Sequence, residues 1–322
     1  MAIDSAKSNT TNLSQAVKNR FYVETFLRTA TPKLVHKQLG QLNVQVPQGA
    51  GGIGTGVVYW TRFLNLPLVS SGQGEGVPTT AVQMTAVNVT GSTGQYDAAV
   101  SISDLLMYTS FGDMMKIAME RLGENAGKSI DTIVRASLAD SLTKQNATGV
   151  AAAAQSTIPA TGTLSITEIR KAKRTLERND APNIDGYWVA VVHPDAAYDL
   201  LADTSTGGWI DANKYNNETA LFNGELGRLL GVRFLETSNA YVTSTASVTG
   251  SGTIYQTQIL GKEAFGVTNL QALRTIVHGF GSGGVSDPTD KVATAGWKAT
   301  FGAQVLNSAF GVNVNHVVSA TA

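Results

Sequence analysis

The chain has 322 residues, enough for one large domain or two smaller ones with a sizeable core. Lys plus Arg and Asp plus Glu each total 24, so no net charge draws the chain to nucleic acid or to a membrane surface. Cysteine is absent, which excludes disulfides, thiolate metal sites and a cysteine nucleophile, and the 15% of charged residues falls below the roughly 25% usual for soluble domains.

The low charge is not explained by a membrane span, because no apolar run approaches the ~18 residues that a spanning helix needs. This combination indicates that other protein covers much of the surface. The N-terminal sequence MAIDSAKSNTTNLSQ lacks the apolar core of a signal peptide, so we expect the chain to begin in a cytoplasm.

Residues 1–12 are polar and expected to be loose. Helical spacing follows, with Leu13, Val17 and Phe21 on one stripe. Pro32 is expected to stop or kink this helix. Up to residue 40 the arm has an excess of four positive charges (6 − 2), from Lys7, Lys18, Arg20, Arg28, Lys33 and Lys37 against Asp4 and Glu24. A solvated helix face is the preferred interpretation, and a surface facing nucleic acid is the alternative.

Residues 41–96 form a predicted β excursion with almost no charge. Its strand-like runs are LNVQV, GVVYWTRFLNL and AVQMTAVNVTG, and its only charged residues are Arg62 and Glu75. Apolar side chains in such a segment need cover, so we expect it to lie on a neighbouring chain. The candidate contacts with that neighbour are Tyr59, Trp60, Arg62, Phe63 and Glu75, with the three aromatic rings as anchors.

The stretch GQYDAAVSISDL, residues 94–105, alternates like a strand and then resembles the start of a helix. Tyr96 follows Gly94 by two residues, and both are candidate hinge and packing residues. Asp104 is interpreted as a first-turn acid that complements the helix dipole.

A long helical region follows, marked by an unbroken i, i+4 row of Met114, Ala118, Leu122, Ala126, Ile130, Val134, Leu138 and Leu142. Each four-residue step overshoots a full turn by ~40°, so the row winds around the helix and should contact different elements along its length. Gly123 and Gly127 each cost ~1 kcal/mol relative to alanine in a helix. Their spacing of one turn indicates a close backbone crossing or a kink.

The rest of the chain mixes helices and strands. After the low-complexity loop NATGVAAAAQSTIPATG, Ser165 and Glu168 predict a capping box for the next helix. The run YWVAVV predicts a buried strand, and Pro194 opens another helix. The sequence GELGRLLGVRFLETSNA predicts a short helix, a tight glycine turn and a strand, and short strands follow to the end.

The motifs that could indicate catalysis or cofactor binding lack the neighbouring residues or elements that such sites require. Two G-x-G-x-x-G matches, at 49–54 and 279–284, are not followed by the helix that a dinucleotide site requires. The four histidines are isolated: His36, His193, His278 and His316. The basic helix EIRKAKRTLER is interleaved with acids and favours a solvated face. We therefore assign no catalytic, cofactor or metal residue, and a hydrolase with a triad invisible in sequence stays open as an alternative.

The order of parts resembles the major capsid protein fold of tailed bacteriophages, the Hong Kong 97 type, and more narrowly the major capsid family named after the N-four coliphage. The stretches that carry the resemblance run from end to end: LSQAVKNRFYVETFLRTATPKLVHKQLG, GEGVPTT, GQYDAAVSISDL, LGENAGKSIDTIVRASL, FNGELGRLLGVRFLETSNA, ILGKEAFGV and SDPTDKVATAGWKATFGAQVLN. The implied fold is α+β, with a peripheral domain around a long spine helix and an axial domain. The implied division is an arm at 1–40, an extended β loop at 41–100, the peripheral domain with its spine helix at 101–162, the axial domain at 163–262 and returning strands at 263–322.

The resemblance implies a structural protein of the virion that assembles with itself into pentamers and hexamers of an icosahedral shell around double-stranded DNA. A portal, decoration proteins and a separate scaffolding protein are the expected partners, since a helix starting near Leu13 leaves no room for a fused scaffold. An encapsulin-type protein compartment is the alternative within the same fold. One departure is clear: no lysine lies between Lys37 and Lys116, so the extended loop cannot supply the amine for an isopeptide crosslink.

Overall fold

The computed structural model describes residues 15–43, 57–72, 74–76, 78–79, 81–110, 112–151, 157–203, 227–244, 253–283 and 287–319. Its helices are α1 Gln15–Ala30, α2 Asp104–Thr109, α3 Met114–Ser141, α4 Ile166–Arg178 and α5 Pro194–Ala202. Its strands are β1 Gln41–Asn43, β2 Val57–Phe63, β3 Ala86–Ser92, β4 Gly94–Ser103, β5 Thr143–Asn146, β6 Trp188–Val192, β7 Arg228–Leu229, β8 Val232–Glu236, β9 Tyr241–Ser244, β10 Thr253–Leu260, β11 Phe265–His278, β12 Val292–Val305 and β13 Gly311–His316. The expectations for residues 1–12, for Leu13 and for the G-x-G-x-x-G match at 49–54 concern residues outside the described ranges.

The strands form three sheets, which together with the helices give the predicted α+β class. A four-stranded sheet has the order β1-β11-β12-β4, and among the described residues β2 pairs only with β3 in a separate hairpin. A larger sheet has the order β5-β13-β10-β6-β8-β7, with β9 paired to β10. The chain is therefore organised around two sheets, and the β2–β3 hairpin extends from the first.

The first core lies between the four-stranded sheet and helices α1 and α3. Strand β12 alternates strictly, and its inward side chains Ala293, Ala295, Trp297, Ala299 and Phe301 are buried. Helix α3 runs without a break for 28 residues. It contacts α1, β4, β9, β10 and β12, as the winding apolar row predicts.

The two glycines of α3 lie where α1 crosses it. A β-carbon added to Gly123 would lie 2.6 Å from the carbonyl oxygen of Phe26, and one added to Gly127 would lie 2.6 Å from the carbonyl oxygen of Ala30. The structure therefore shows the close crossing and not the kink. It also places α1 of the arm on the spine helix of its own chain.

We expect Gly123→Ala and Gly127→Ala each to lower the free energy of unfolding by ~1–3 kcal/mol, although alanine gains ~1 kcal/mol in helix propensity. The added methyl group would meet backbone oxygens of α1, which cannot move without shifting that helix. Urea unfolding of the isolated subunit measures the change, with Lys116→Ala on the exposed side of α3 as the control. Variants as stable as this control would contradict the packing argument.

The second core lies on one face of the larger sheet, where α4 and α5 cover apolar side chains of β6, β10 and β13. The other side of β10 and β13 is buried but polar, and it faces the C-terminal half of α3. Asn313 Nδ2 donates to the carbonyl oxygens of Leu138 and Ala139 at 2.9 and 3.0 Å. Gln256 Nε2 donates to Asn315 Oδ1 at 2.9 Å. Hydrogen bonds, rather than apolar packing alone, thus join the spine helix to the second sheet.

Two local predictions were wrong. Ser165 holds the N-cap position of α4, but its side chain makes no capping hydrogen bond, and Asp203 Oδ2 instead accepts from the Ile166 N–H at 3.1 Å. The Glu168 carboxylate accepts from Gln145 and Lys171 and does not close a capping box. The predicted short helix before the glycine turn is also incorrect at β7 (residues 228–229), because these residues pair antiparallel with β8.

The five-part division of the chain stays a prediction. Strand β4 runs across the expected boundary at residue 100. Within the last segment, β11 and β12 belong to the first sheet and β13 to the second.

Candidate interaction surface

The segment between β2 and β3 exposes its apolar side chains. The N–H of Leu64 donates to the carbonyl oxygen of Thr85 at 2.9 Å and closes the base of the segment. Leu68 is 96% exposed and Val69 is 84% exposed. The other exposed large apolar residues of this segment are Leu64, Leu66, Val82 and Met84. An accumulation of this kind is typical of a protein interaction site.

Trp60 does not belong to this exposed set. It is 6% exposed, and a β-carbon added to Gly266 or Gly91 would lie 2.6 or 2.7 Å from its indole ring. The ring therefore fixes the β2–β3 hairpin to the four-stranded sheet of its own chain. The expectation that Trp60 anchors a neighbour is corrected, because burial within the subunit already uses its surface.

Three of the other predicted contact residues line one cleft. Tyr59, Arg62 and Phe63 of β2 lie along a cleft of about 440 Å³ at the root of the hairpin. Tyr59 is 47% exposed and Phe63 is 61% exposed. The remaining lining residues come from β1, β2, β3 and the junction of the two sheets: Gln41, Leu42, Trp60, Thr61, Val89, Glu263, Leu306 and Phe310. The cleft therefore combines apolar and aromatic side chains with polar surface and one charge of each sign.

Glu75 lies apart from this cleft. It is exposed in a turn of the loop, next to Gly76, whose φ of +76° favours glycine. The structure thus brings Tyr59, Arg62 and Phe63 together and leaves Glu75 separate.

The junction of strand and helix lies further along the chain than Tyr96. Tyr96 lies inside β4, and its ring packs on Phe301 with the centroids 5.0 Å apart. A β-carbon at Gly94 would lie 2.8 Å from the Tyr96 hydroxyl oxygen, so the absence of a side chain at Gly94 leaves room for the Tyr96 ring. The strand ends at Ser103, whose hydroxyl accepts from the Leu106 N–H at the start of α2.

The sequence predicted a helix after Ser103, but not that this helix, α2, would be exposed. It contains no buried residue, with Leu105 68% exposed and Tyr108 85% exposed. These two side chains are three residues apart and share a helix face. The sequence could have indicated this exposed face, because Leu105 and Tyr108 are three residues apart and follow Ser103, a residue that favours the N-cap position.

A buried hydrogen-bonded pair ties the arm to α3. His36 and Asp131 are both fully buried, and the His36 N–H and Nδ1 each lie 2.7 Å from an Asp131 carboxylate oxygen. The Asn239 amide donates to the same carboxylate at 3.3 Å. Arg135 donates from Nη1 to the carbonyl oxygen of Ala240 at 2.8 Å. Burial lowers the pKa of Arg135, although the charge of Asp131 raises it.

Two of the other histidines have structural partners. His193 caps α5 by accepting from the Asp195 N–H, as its position after β6 predicts. His316 lies between the Thr257 hydroxyl and the carbonyl oxygen of Val317. Within the described ranges, no group of three or more His, Asp or Glu residues could hold a metal ion. The described helices include none that is long and apolar enough to cross a membrane.

Solved structures that are similar to this chain include phage capsids. The capsid of Ralstonia phage GP4 is similar with a TM-score of 0.67 at 14% identity over 88% of each chain. The cyanophage Pam1 capsid gives a TM-score of 0.64 at 15% identity, over 88% of this chain and 89% of that one. A chain of Mycobacterium phage Che8 gives 0.57 at 18% identity, over 87% and 90%. The comparison with curated protein sequences gave no significant match.

At these identities the structures establish the Hong Kong 97-like fold. At the level of sequence, the family model described as phage capsid protein matches residues 21–309. That match spans most of the chain. The chain therefore belongs to the phage capsid protein family, as a non-enzymatic major capsid protein that assembles with itself into the shell of the virion.

Proposed function

We propose that the subunit forms pentamers and hexamers of an icosahedral shell, in which the segment between β2 and β3 lies on an adjacent subunit. The observation that supports this is the exposed apolar surface of residues 64–84, which has no cover from the described part of its own chain. Burial against a neighbour would gain ~25 cal/mol per Å² of apolar area, less the cost of ordering the loop.

The shell encloses double-stranded DNA, which its inner face contacts without sequence specificity. A separate scaffolding protein, a portal and decoration proteins complete the particle, and assembly takes place in the host cytoplasm. Membership of the phage capsid protein family supports the proposal of these partners. The encapsulin alternative differs in content: purified particles would then hold cargo protein instead of nucleic acid.

The contacts between subunits are non-covalent in this proposal. Residues 38–115 contain no lysine, and the chain has no cysteine. Ordinary interfaces bury ~1,600 Å² in total. A subunit held by several modest interfaces at once dissociates slowly, because all of them must open together. Gly94 and Tyr96 would act as the hinge at the base of the loop.

Hydrogen exchange on the free subunit and on assembled shells tests the role of the loop. We expect amides of residues 64–85 to exchange rapidly in the free subunit and to be protected in shells. Strands β10 and β13 serve as the internal control, since they should be protected equally in both states. Strong protection of the loop in the free subunit as well would contradict the proposal.

A further inference from the structure

Helix α2 is an apolar helix with nothing packed on its outer face among the described residues. Leu105 and Tyr108 extend from one side of it, and its only charged residue is Asp104. Its conformation is set by its own chain, since the Asp104 N–H donates to the carbonyl oxygen of Lys291 at 2.9 Å and Ser103 caps the first turn. Binding through such a helix orders few new groups.

The cleft at the root of the hairpin is a complementary surface of the same chain. Its apolar lining includes Tyr59 and Phe63 of β2 together with Leu42, Leu306 and Phe310. Arg62 lines it on β2, and Glu263 lines it at the junction of the sheets. A groove that presents both apolar side chains and a few charges can receive a helix that carries apolar residues and a charge on one side.

The two surfaces lie at opposite ends of one sheet. Ser103, next to α2, pairs with Val292 at the start of β12. Leu42, in the cleft, pairs with Val267, which pairs in turn with Ala303 near the end of β12. At ~3.4 Å per residue this separation is about 37 Å, so α2 cannot reach the cleft of its own subunit.

We infer that α2 of one subunit docks into the hairpin cleft of the next copy, with Leu105 and Tyr108 between Phe63 and Phe310 and with Asp104 on the Arg62 side. Because the two surfaces differ, the contact is head-to-tail, and head-to-tail contacts that close by rotation form rings. This inference rests on the proposed function, and it assigns the contact within a capsomer to these two surfaces.

The loop at residues 64–84 of a neighbour is the competing occupant of the cleft. Its side chains lie on an extended segment, so docking would have to order more of them than docking of α2. Helix α2 presents its two large side chains already fixed in position. The geometry therefore favours the helix.

The natural absence of cysteine makes crosslinking a clean test. Tyr108→Cys and Phe63→Cys subunits are prepared separately, co-assembled into shells, and treated with an oxidant or a short bismaleimide. We expect a covalent dimer on a denaturing gel from the mixture and only monomer from either variant assembled alone. The matched control replaces Tyr108→Cys with Tyr198→Cys, an exposed tyrosine on α5, and should stay monomeric.

Three outcomes would overturn the inference while the proposed function stands: shells that form without the dimer, a dimer from Tyr108→Cys alone, or crosslinking of Phe63→Cys with Leu68→Cys instead. Failure of the unmodified chain to form shells under any condition would instead overturn the proposed function. If the cysteine variants do not co-assemble, Tyr108→Asp and Tyr108→Phe decide the question. We expect the first to fold but lose ring formation and the second to retain it, whereas rings from Tyr108→Asp would count against the inference.

Discussion

Replacing Asp131 with alanine is expected to lower the free energy of unfolding by ~3–5 kcal/mol, because several buried hydrogen-bond donors would each lose their acceptor at a cost of ~1–3 kcal/mol. The carboxylate accepts hydrogen bonds from the His36 N–H and from Asn239, and it lies 2.7 Å from His36 Nδ1. Without the Asp131 carboxylate, these donors would stay buried without an acceptor, and the positive charge of Arg135 would lose a compensating negative charge. Urea unfolding of the isolated subunit measures the change.

Two further variants sharpen this test. Asp140→Ala removes a carboxylate from the same helix whose side chain is 83% exposed, and it should change stability by less than ~0.5 kcal/mol. Asp131→Asn keeps an oxygen that can accept from the His36 N–H. It should therefore lower the free energy of unfolding by less than Asp131→Ala and by more than Asp140→Ala. An Asp131→Ala subunit as stable as Asp140→Ala would show that the pair does not hold the arm to α3.

Acid should destabilise the subunit through His316, whose burial lowers its pKa from 6.5 to about 4. The neutral ring satisfies both neighbours, with one nitrogen facing the Thr257 hydroxyl and the other the carbonyl oxygen of Val317. The unfolded chain binds a proton below pH 6.5 that the folded chain resists until about pH 4. Stability is therefore lost as the pH falls through this window, by roughly 3 kcal/mol from this group.

The variant His316→Gln removes the titrating group. Between pH 7 and pH 4, we expect the free energy of unfolding to fall less for this variant than for the unmodified subunit. The difference between the two falls should be roughly 3 kcal/mol, whatever the stability of the variant at pH 7. His278→Gln alters an exposed histidine and should leave the pH dependence unchanged. Identical pH profiles for the unmodified chain and His316→Gln would refute the assignment.

Patterns with a local cause were predictable from the sequence. The i, i+4 row of α3 and the β-branched run of β6 each specify one element, because burial on one helix face or in one strand repeats at a fixed period. The change to helix after Ser103 also followed from local chemistry. Glycines 123 and 127 signalled the crossing, since a helix retains such residues where another backbone comes close.

Features that depend on distant residues were not predictable. The burial of Trp60 requires Gly266, which β11 brings beneath the hairpin only after folding. His36 and Asp131 are 95 residues apart, and no spacing rule links them. The capping box failed because Asp203, from the end of α5, supplies the acceptor for the Ile166 N–H. The cleft combines residues from β1, β2 and the loop after β12, so it exists only in the folded chain.

Cryo-electron microscopy of particles assembled from this chain tests the central claim most directly. We predict a closed icosahedral shell of five- and sixfold capsomers, in which density for residues 57–92 of each subunit lies on the surface of an adjacent one. Subunits that stay monomeric at high concentration, or closed shells in which this segment folds back on its own subunit, would contradict the account.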